Sequence, residues 1–327
     1  MKALILSAGL GERLRPLTLT RAKPAVEILN IPMLGFPYYW LDMLKLSDLV
    51  FNTHYLPDTV RHAAMHVVSP SQPMFFTHET AILGSGGGIW NARSHLVGDD
   101  HFAVANGDGV VLFEDHDVLQ RMYEFHVRKG ALATLLVCPL EGVGTKLPGV
   151  WMDNTGEISA FGKTSKVSYS ECFHYASYMF LSKRIWKYLP DGPSNILYDV
   201  IEPRLRQGEK AYGFRIDNMR WYETGNSPEF LAATRDCLEQ IRQGTRLGRA
   251  ARDIVERLAP PYELHSQLDA MKLIANSAEI GDHAKVDGFA VIGPGAKVGA
   301  GARIKNAVLL PGSRLAENAS CHDAIQI

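Results

Sequence analysis

The sequence predicts an α/β fold with a mostly parallel sheet, followed by a short parallel β-helix at the C-terminal end. Three observations carry this prediction. Short apolar runs alternate with helical patterns over the first two-thirds of the chain, as expected for parallel strands covered by helices on both faces. Strand-like runs follow one another over residues 149–181, which predicts an antiparallel addition to the sheet. Finally, aliphatic residues recur every six positions from residue 274 onward.

The predicted elements of the first two-thirds follow from the apolar runs and the helical patterns between them. The opening residues are expected to form the first strand rather than a signal peptide. The predicted strands are residues 4–6, 49–53, 74–77, 102–105 and 133–138. The predicted helices are residues 59–67, 88–96, 117–128, 228–243 and 247–258. Pro260 and Pro261 then break the pattern and mark a linker.

The C-terminal repeat has a period of six residues. The aliphatic positions are Ile274, Ile280, Val286, Ile292, Val298, Ile304 and Leu310. Small residues follow the first six of these by four positions, at Ala278, Ala284, Ala290, Ala296, Ala302 and Val308. This period fits neither an α-helix nor a simple strand, and it is typical of the coils of a parallel β-helix. The alternative, an irregular loop rich in glycine and alanine, requires seven aliphatic residues to fall in register by chance. The predicted units are therefore an α/β domain of residues 1–245, a helical linker of residues 246–272 and a repeat tail of residues 273–327.

The composition excludes several classes of function. The 327 residues include 34 Lys and Arg and 35 Asp and Glu, so the net charge of −1 excludes a broadly basic nucleic-acid-binding protein. No apolar run reaches the ~18 residues of a membrane span, so no membrane association is expected. The four cysteines are far apart and form no CxxC pair, which predicts reduced thiols in a cytoplasmic protein.

A glycine-containing loop follows the first predicted strand and is the first candidate site. Its sequence from Ser7 to Thr18 is SAGLGERLRPLT, and glycines at such a position let backbone N–H groups approach a phosphate. The loop matches neither the GxGxxG dinucleotide fingerprint nor the GK[ST] ending of a Walker loop. Three cations, Arg13, Arg15 and Lys23, follow in an otherwise neutral chain. This combination favours polyphosphate binding over a solvated turn.

The same loop, with Ala22-Lys23-Pro24 after it, resembles the LAAGxGTRLxPLT…PKP opening of the sugar-1-phosphate nucleotidyltransferases. The resemblance extends along the chain in order. Similar segments are NTHYLP at 52–57, Glu79 with LGSGG at 83–87, NGD at 106–108, ASYMFL at 176–181 and WYETGNSPE at 221–229. The chain looks closest to the branch of mannose-1-phosphate guanylyltransferases and N-acetylmuramate-1-phosphate uridylyltransferases. The resemblance implies a Rossmann-like, three-layer nucleotidyltransferase domain and a left-handed β-helix in the tail.

The resemblance also implies substrates and residue roles. The reaction is the transfer of a nucleotidyl group from an NTP to a sugar 1-phosphate, giving an NDP-sugar and pyrophosphate. Arg13 and Lys23 are expected to be the catalytic cations, and Lys163 is expected to bind the sugar phosphate. The nucleotide-binding residues are expected to be Ala8, Gly9, Gly11, Glu79, Gly84, Gly86 and Gly87. Taken alone, the glycine run at 84–88 also fits a flexible loop that caps the next helix.

Two carboxylates are implied to hold Mg²⁺. Asp108 follows the predicted strand 102–105, at the sheet edge where a metal ligand is useful. From the residues alone, Asp108 fits a turn-forming role equally well. Glu223 stands where the family has Asp. Gly162 and Ala22 also depart from the family pattern, which leaves the sugar open and keeps an alternative: a catalytically weak regulatory paralogue that binds a nucleotide sugar. The tail is expected to carry contacts of a homo-oligomer.

Overall fold

The computed structural model describes residues 1–164, 171–259 and 271–327. The strands that these residues form before the tail are β1 (Lys2–Leu6), β2 (Glu27–Ile28), β3 (Ile31–Pro32), β4 (Asp48–Thr53), β5 (Met74–His78), β6 (His101–Asn106), β7 (Val110–Phe113), β8 (Ala133–Cys138), β9 (Gly149–Met152), β10 (Ile158–Gly162), β11 (Glu171–Ser182), β12 (Ala211–Arg215) and β13 (Met219–Tyr222). The helices are α1 (Gly35–Asp42), α2 (Pro57–Val67), α3 (Gly84–Asn91), α4 (Arg93–Leu96), α5 (Val118–Lys129), α6 (Glu202–Leu205), α7 (Ser227–Gln243) and α8 (Arg246–Leu258).

A nine-stranded mixed sheet forms the centre of the fold. Seven strands lie in the order β10-β9-β11-β6-β1-β4-β5, and β8 and β12 continue from β11. Strands β6, β1, β4 and β5 are parallel, so their carboxyl ends meet at one edge. Apolar residues fill the interiors of β1 and β6, because helices cover both faces of these strands. The predicted α/β fold with a mostly parallel sheet is confirmed.

The antiparallel addition is also as predicted. Strand β11 has twelve residues and pairs antiparallel with β6, β8 and β9. Its register with β8 shifts between Tyr175 and Met179, and Ser177 within this shift has a positive φ of 73°. Such a bulge re-aims side chains locally. Strand β11 therefore changes course at the point where it passes the carboxyl ends of the parallel strands.

Two helices differ from the sequence prediction. Helix α1 was not predicted because nearly all of its residues are buried, so it lacks the amphipathic period that marks a surface helix. The indole Nε1 of Trp40 on α1 donates to the Val111 carbonyl at 2.9 Å, which ties this helix to β7. The helix predicted at 88–96 begins earlier, at Gly84, and is divided into α3 and α4 at Ala92. The glycine run is therefore helical, because tertiary contacts outweigh the low helix propensity of glycine.

Helices α7 and α8 follow one another and pack on the main core. The Asn226 side chain accepts a hydrogen bond from the Glu229 N–H at 3.0 Å and caps α7, and Thr245 caps α8 in the same way. Ala251, Ile254 and Val255 of α8 are buried in the apolar cluster that also contains β1 residues. The limits of 1–245, 246–272 and 273–327 stay predictions, and residues 260–270 of the linker lie outside the described residues. No helix of the described chain is long and apolar enough to cross a membrane.

The tail consists of short parallel strands stacked in coils. They are β14 (Lys272–Ile274), β15 (Glu279–Ile280), β16 (Lys285–Ile292), β17 (Lys297–Val298), β18 (Arg303–Leu309), β19 (Arg314–Leu315), β20 (Ser320–His322) and β21 (Ile325–Gln326). Lys272 pairs with Ala290, eighteen residues later, as three six-residue repeats require. Ile292, Val298 and Ile304 are buried, as the repeat predicts, whereas Ile280 in the first coil is 42% exposed.

The seventh repeat position was predicted one residue too late. Ile292 pairs with Leu309 rather than Leu310, and Ala290 pairs with Ala307 rather than Val308. This coil therefore has seventeen residues, and Leu309 packs in the interior of the tail. Val308 and Leu310 instead belong to the main apolar cluster with α7 and α8. A one-residue shortening thus turns two aliphatic side chains toward the larger domain.

Candidate active site

The loop after β1 is shaped by a glycine and a threonine. Gly11 has a φ of +62°, and a Cβ at this position would lie 2.9 Å from Lys23 Cβ. Thr18 Oγ1 donates a hydrogen bond to the Gly11 carbonyl at 2.8 Å, which closes the loop. Because glycine has no Cβ, the chain turns left-handed here and lets Lys23 pack directly beneath it. The predicted phosphate-binding loop is therefore tightly folded over a cation.

This loop borders a cavity of about 510 Å³, called the first cavity, at the carboxyl ends of β1, β4 and β6. Open α/β sheets bind ligands at this edge. Eight of the predicted site residues line it: Ala8, Gly9, Gly11, Arg13, Lys23, Glu79, Gly84 and Asp108. Ser85, in the first turn of α3, lines it as well. The structure thus gathers most of the predicted nucleotide site in one place.

A second cavity of about 300 Å³ lies beside the first, and the two share Arg13, Lys23, Asn106 and Asp108. Glu223 lines only the second cavity. Further lining residues come from the antiparallel strands and the π-helical turn Ile196–Ile201: Val150, Phe161, His174, Tyr175, Ser177, Leu197, Tyr198 and Trp221. The shared wall means that two bound molecules would meet at these cations and at Asp108.

Two ion pairs between a cation and a carboxylate involve residues of the shared wall. Lys23 Nζ lies 2.8 Å from Asp108 Oδ2, and Lys23 is only 9% exposed. A guanidinium nitrogen of Arg13 lies 3.7 Å from Glu223 Oε1, and the Arg13 side chain is 71% exposed. Burial and a close partner hold the Lys23 ammonium in place, whereas Arg13 is loosely held and can turn toward a ligand. Glu223 and Asp108, predicted from distant motifs, therefore both line the second cavity.

The two carboxylates fit a hard divalent cation. No group of three or more His, Cys, Asp and Glu side chains suited to a metal occurs within residues 1–164, 171–259 and 271–327. Mg²⁺ is commonly held by one or two carboxylates together with water and substrate phosphates. Asp108 and Glu223 supply that number of carboxylates, and both are partly exposed toward the second cavity. The donor set matches a cation that arrives with a polyphosphate.

Glu79 has a larger structural role than the sequence indicated. Its carboxylate is 1% exposed and accepts hydrogen bonds from Asn52 Nδ2 at 2.6 Å and from the Leu83 N–H at 3.0 Å. Asn52 Oδ1 in turn accepts from the Ser7 N–H at 2.7 Å. This buried chain of hydrogen bonds connects the ends of β1, β4 and β5 to the start of α3. Glu79 therefore holds the first cavity together, in addition to lining it.

Three predicted residues lie away from the cavities. The Gly86 and Gly87 N–H groups donate to the Ser194 carbonyl, and a Cβ on Gly86 would lie 2.5 Å from Ser194 Oγ. These two glycines thus allow close packing of α3 against residues 192–194 and do not line either cavity. Lys163 follows β10, is exposed and lines neither cavity. Its predicted contact with a sugar phosphate stays a prediction.

Sequence reasoning missed several side chains of the second cavity. His174 and Tyr175 lie on β11 directly before the family-like segment 176–181, and Ser177 lies within it. Trp221 begins a quoted motif without being assigned a role. The bulge at Ser177, which brings these residues to the cavity, leaves no mark in the sequence. The signal that could have identified these residues was their position in or next to the family-like segments 176–181 and 221–229.

Comparisons with known proteins agree with this geometry. A family model described as Nucleotidyl transferase matches residues 2–240. The mannose-1-phosphate guanylyltransferase catalytic subunit beta of Dictyostelium discoideum is 27% identical over 233 residues, covering 71% of this chain and 63% of the relative. The UTP--glucose-1-phosphate uridylyltransferase of Synechocystis sp. is 27% identical over 353 residues, covering 99% of this chain and 87% of the relative.

A solved structure shows the same fold. HddC from Yersinia pseudotuberculosis, complexed with GMP-PN, matches with a TM-score of 0.57 at 19% identity, over 72% of this chain and 98% of that chain. The family model covers most of this chain, and the resemblance drawn from the motifs is confirmed. The chain therefore belongs to the nucleotidyl transferase family, among the sugar-1-phosphate nucleotidyltransferases.

Proposed function

We propose that this enzyme transfers a nucleotidyl group from an NTP bound in the first cavity to a sugar 1-phosphate bound in the second. The single observation that carries the proposal is the wall shared by the two cavities, which contains Arg13, Lys23 and Asp108. A reaction between two phosphate compounds requires the two polyanions to approach in line. Adjacent cavities with cations at their boundary meet that requirement.

The chemistry needs no protein nucleophile. A sugar phosphate has a second pKa of ~6, so it is mostly a dianion near pH 7 and can attack without a general base. One of its oxygens forms a bond to the α-phosphorus, and the bond from that phosphorus to the oxygen bridging to the β-phosphate breaks. Pyrophosphate leaves with the electron pair. The barrier therefore lies in alignment and in charge on the phosphoryl group.

The residues divide these tasks. Lys23, buried at the boundary, faces the position where the α-phosphoryl oxygens would lie. Arg13, exposed at the loop tip, would close over the β- and γ-phosphates together with the backbone near Gly11. Preorganised cations of this kind stabilise developing charge at little reorganisation cost. Asp108 keeps the Lys23 ammonium in position at 2.8 Å.

Mg²⁺ is the proposed cofactor, with Asp108 and Glu223 as its protein ligands. When bound, the ion would neutralise phosphate charge and polarise the phosphoryl oxygens. Glu223 reaches further than the Asp that it replaces, so it would bind directly or through a water.

Finer features complete the proposal. The eighteen- and seventeen-residue coils support a left-handed parallel β-helix in the tail, and its first coil, with Ile280 exposed, supports a homo-oligomer contact. The four cysteines are free thiols, which supports a cytoplasmic enzyme. Lys163 is retained as a proposed contact of the sugar phosphate.

A panel of NTPs against sugar 1-phosphates, with pyrophosphate release as the readout, tests the proposal. We expect at least one pair to react in Mg²⁺, to stop when the metal is chelated, and to reverse with added pyrophosphate. Arg13→Ala should abolish most of this activity. Arg15→Ala is the matched control, because Arg15 lies on the same loop, pairs with Glu12 and lines neither cavity. Binding of an NDP-sugar without turnover of any pair would favour the regulatory alternative.

A further inference from the structure

Strands β7 and β13 form a two-stranded ribbon that carries both proposed metal ligands. The strands are antiparallel, and Tyr222 at the end of β13 pairs with Val110 at the start of β7. Asp108 stands two residues before β7, and Glu223 follows β13 directly. Both carboxylates therefore lie at the same end of the ribbon, and the distance between them depends on how firmly each strand is held there.

The β7 side of the ribbon is firmly held. Every residue of β7 is buried, and the Trp40 indole Nε1 donates to the Val111 carbonyl at 2.9 Å. Just before this strand, Asp108 Oδ2 lies 2.8 Å from the ammonium of Lys23, which is itself buried. Asp108 is thus placed by a strand that is packed on all sides and by a close ion pair.

The β13 side has less support from the sheet. In the part of the chain that the structure describes, β13 pairs with β7 alone. A strand with a neighbour on one side only lacks the second ladder of hydrogen bonds that an interior strand has. The end of β13 therefore needs another contact if Glu223 is to keep a fixed position.

Tyr222 supplies this contact. Its hydroxyl donates a hydrogen bond to Asp236 Oδ2 on α7 at 2.8 Å, and Tyr222 is only 8% exposed. Arg220 Nε lies 3.9 Å from the same oxygen, but the Arg220 side chain is more than half exposed. Helix α7 is itself fixed, because Phe230 and Cys237 are buried in the main apolar cluster. The Tyr222 hydroxyl thus ties the end of β13 to a well-packed helix.

The space around the Glu223 carboxylate is small. A Cβ on Gly225 would lie 2.5 Å from Glu223 Oε1 and 2.8 Å from Arg13 Cζ, so the carboxylate folds back over the turn and lies beside the guanidinium. A glutamate side chain has one more rotatable bond than an aspartate, so it has more freedom to lose when it binds a metal. Because Mg²⁺ requires oxygen ligands at about 2.0–2.1 Å, a small shift of the backbone would matter.

We propose that Tyr222 is a positioning residue: its hydrogen bond to Asp236 fixes the backbone at Glu223 and so sets the distance of that carboxylate from Asp108. This inference rests on the proposed function, in which the two carboxylates hold Mg²⁺. Tyr222 also lines the second cavity, so a direct contact with the sugar phosphate is the alternative that the experiment separates.

The first measurement is of metal binding. Mn²⁺ replaces Mg²⁺ as the probe, and its dissociation constant is determined by electron paramagnetic resonance with GTP or UTP present and no sugar phosphate. Tyr222→Phe should weaken Mn²⁺ binding about 3- to 10-fold and lower kcat by a similar factor, with KM for both substrates unchanged. Asp236→Ala should give the same loss. Asp236→Asn keeps an acceptor for the hydroxyl and should lose less.

A second substitution shows whether Tyr222 acts through Glu223. In the Glu223→Gln variant the carboxylate charge is gone, so adding Tyr222→Phe should cause no further loss of Mn²⁺ affinity or of kcat. Tyr188→Phe is the matched control, because Tyr188 also donates from its hydroxyl to a carboxylate, Glu209 Oε1 at 2.9 Å, and lines neither cavity. This control should bind Mn²⁺ as the unmodified enzyme does. Thermal unfolding verifies that each variant is folded.

Three results would overturn the inference and leave the proposed nucleotidyl transfer intact. The first is an unchanged Mn²⁺ affinity in Tyr222→Phe. The second is a loss in the double variant equal to the sum of the two single losses in free energy, which would mean that Tyr222 acts apart from Glu223. The third is a raised KM for the sugar phosphate alone, which would show a direct contact. Absence of pyrophosphate release from every substrate pair would overturn the proposed function alone, because Mn²⁺ binding is measured without turnover.

Discussion

The two cavities are assembled in different ways although they share a wall. The first takes a continuous part of its lining from one loop, residues 8–13, with a buried carboxylate network behind it. The second is lined by side chains from β9, β10, β11 and β13, which are far apart in the chain. Phosphates are recognised by backbone N–H groups and cations that a short motif can supply. A sugar ring needs side chains placed around it by tertiary structure.

The largest expected effect falls on the shared wall, where a change disturbs both cavities. Asp108→Asn removes the charge of a proposed metal ligand and the carboxylate partner of Lys23 Nζ, so we expect kcat to fall by ~10³-fold or more. Steady-state kinetics with a magnesium titration measure this. A variant that keeps its rate and its magnesium dependence would show that Asp108 is only a turn residue.

Arg13→Ala and Lys23→Ala should each lower kcat by ~10²–10³-fold, because each removes a cation from the developing phosphoryl charge. The two variants compare a buried cation with an exposed one, since both cations line each cavity but only Lys23 is buried. Lys23→Ala should also leave Asp108 unpaired and alter the affinity for Mg²⁺, whereas Arg13→Ala should not. An unchanged kcat would remove the residue concerned from its role.

Glu223 belongs to the second cavity alone and should have a smaller effect than Asp108. Glu223→Gln removes the charge and keeps the shape, so we expect a loss of ~10²-fold in kcat. Glu223→Asp keeps the charge on a shorter side chain and should be milder. The magnesium dependence of each variant is the measurement. Full activity in Glu223→Gln would mean that Glu223 is not a metal ligand and that Asp108 and the phosphates hold the ion.

Glu79→Gln tests whether the first cavity depends on its buried network. A Gln side chain keeps one acceptor and places an amide NH₂ against Asn52 Nδ2 or the Leu83 N–H, so we expect a loss of about 2–3 kcal/mol in unfolding free energy. Denaturant unfolding measures this change, and the KM for the NTP should rise with it. Arg15→Ala again provides the surface control. Stability equal to that of the unmodified enzyme would show that the network is dispensable.

How far the sequence predicts each cavity follows from this difference. The loop at Gly11, the cations and Asp108 were predicted from short segments of the sequence, and they line one cavity as expected, while their roles stay predictions. The carboxylate network of Glu79, the packing of Gly86 and Gly87 against Ser194, and the bulge at Ser177 were missed. These features depend on which segments pack together, and one sequence does not specify that. Helix α1 was not predicted for a related reason. Nearly all of its residues are buried, so its sequence lacks the alternation of apolar and polar residues that marks a helix.

The smallest expected effect lies away from both cavities and concerns acid. Burial, with smaller contributions from His101 and Arg184, lowers the pKa of His126 to about 3, and its Nδ1 lies 2.8 Å from Thr134 Oγ1. Unfolded His126 takes up a proton near pH 6.5 and folded His126 does not, so stability falls as pH drops below that value. We expect about 2 kcal/mol to be lost between pH 7 and pH 5.

Thermal or urea unfolding at several pH values checks this, with His126→Gln as the comparison variant. The variant should be less stable at pH 7 and show a weaker dependence on pH. An equal slope in both proteins would mean that His126 does not contribute. The pH dependence that remains in His126→Gln includes the contribution of His174, whose pKa is lowered by burial as well.

The seventeen-residue coil of the tail has a consequence for protein engineering. Because one residue fewer separates Ile292 from Leu309, Val308 and Leu310 point into the main apolar cluster. A grafted tail with strictly periodic eighteen-residue coils would shift the positions of Val308 and Leu310 by one residue along the coil. Different side chains would then face α7. Transplanted tails should therefore keep this shortened coil, and chimeras that restore the full period should expose apolar surface and aggregate. The shortened coil is therefore the feature that lets this tail pack against its own domain.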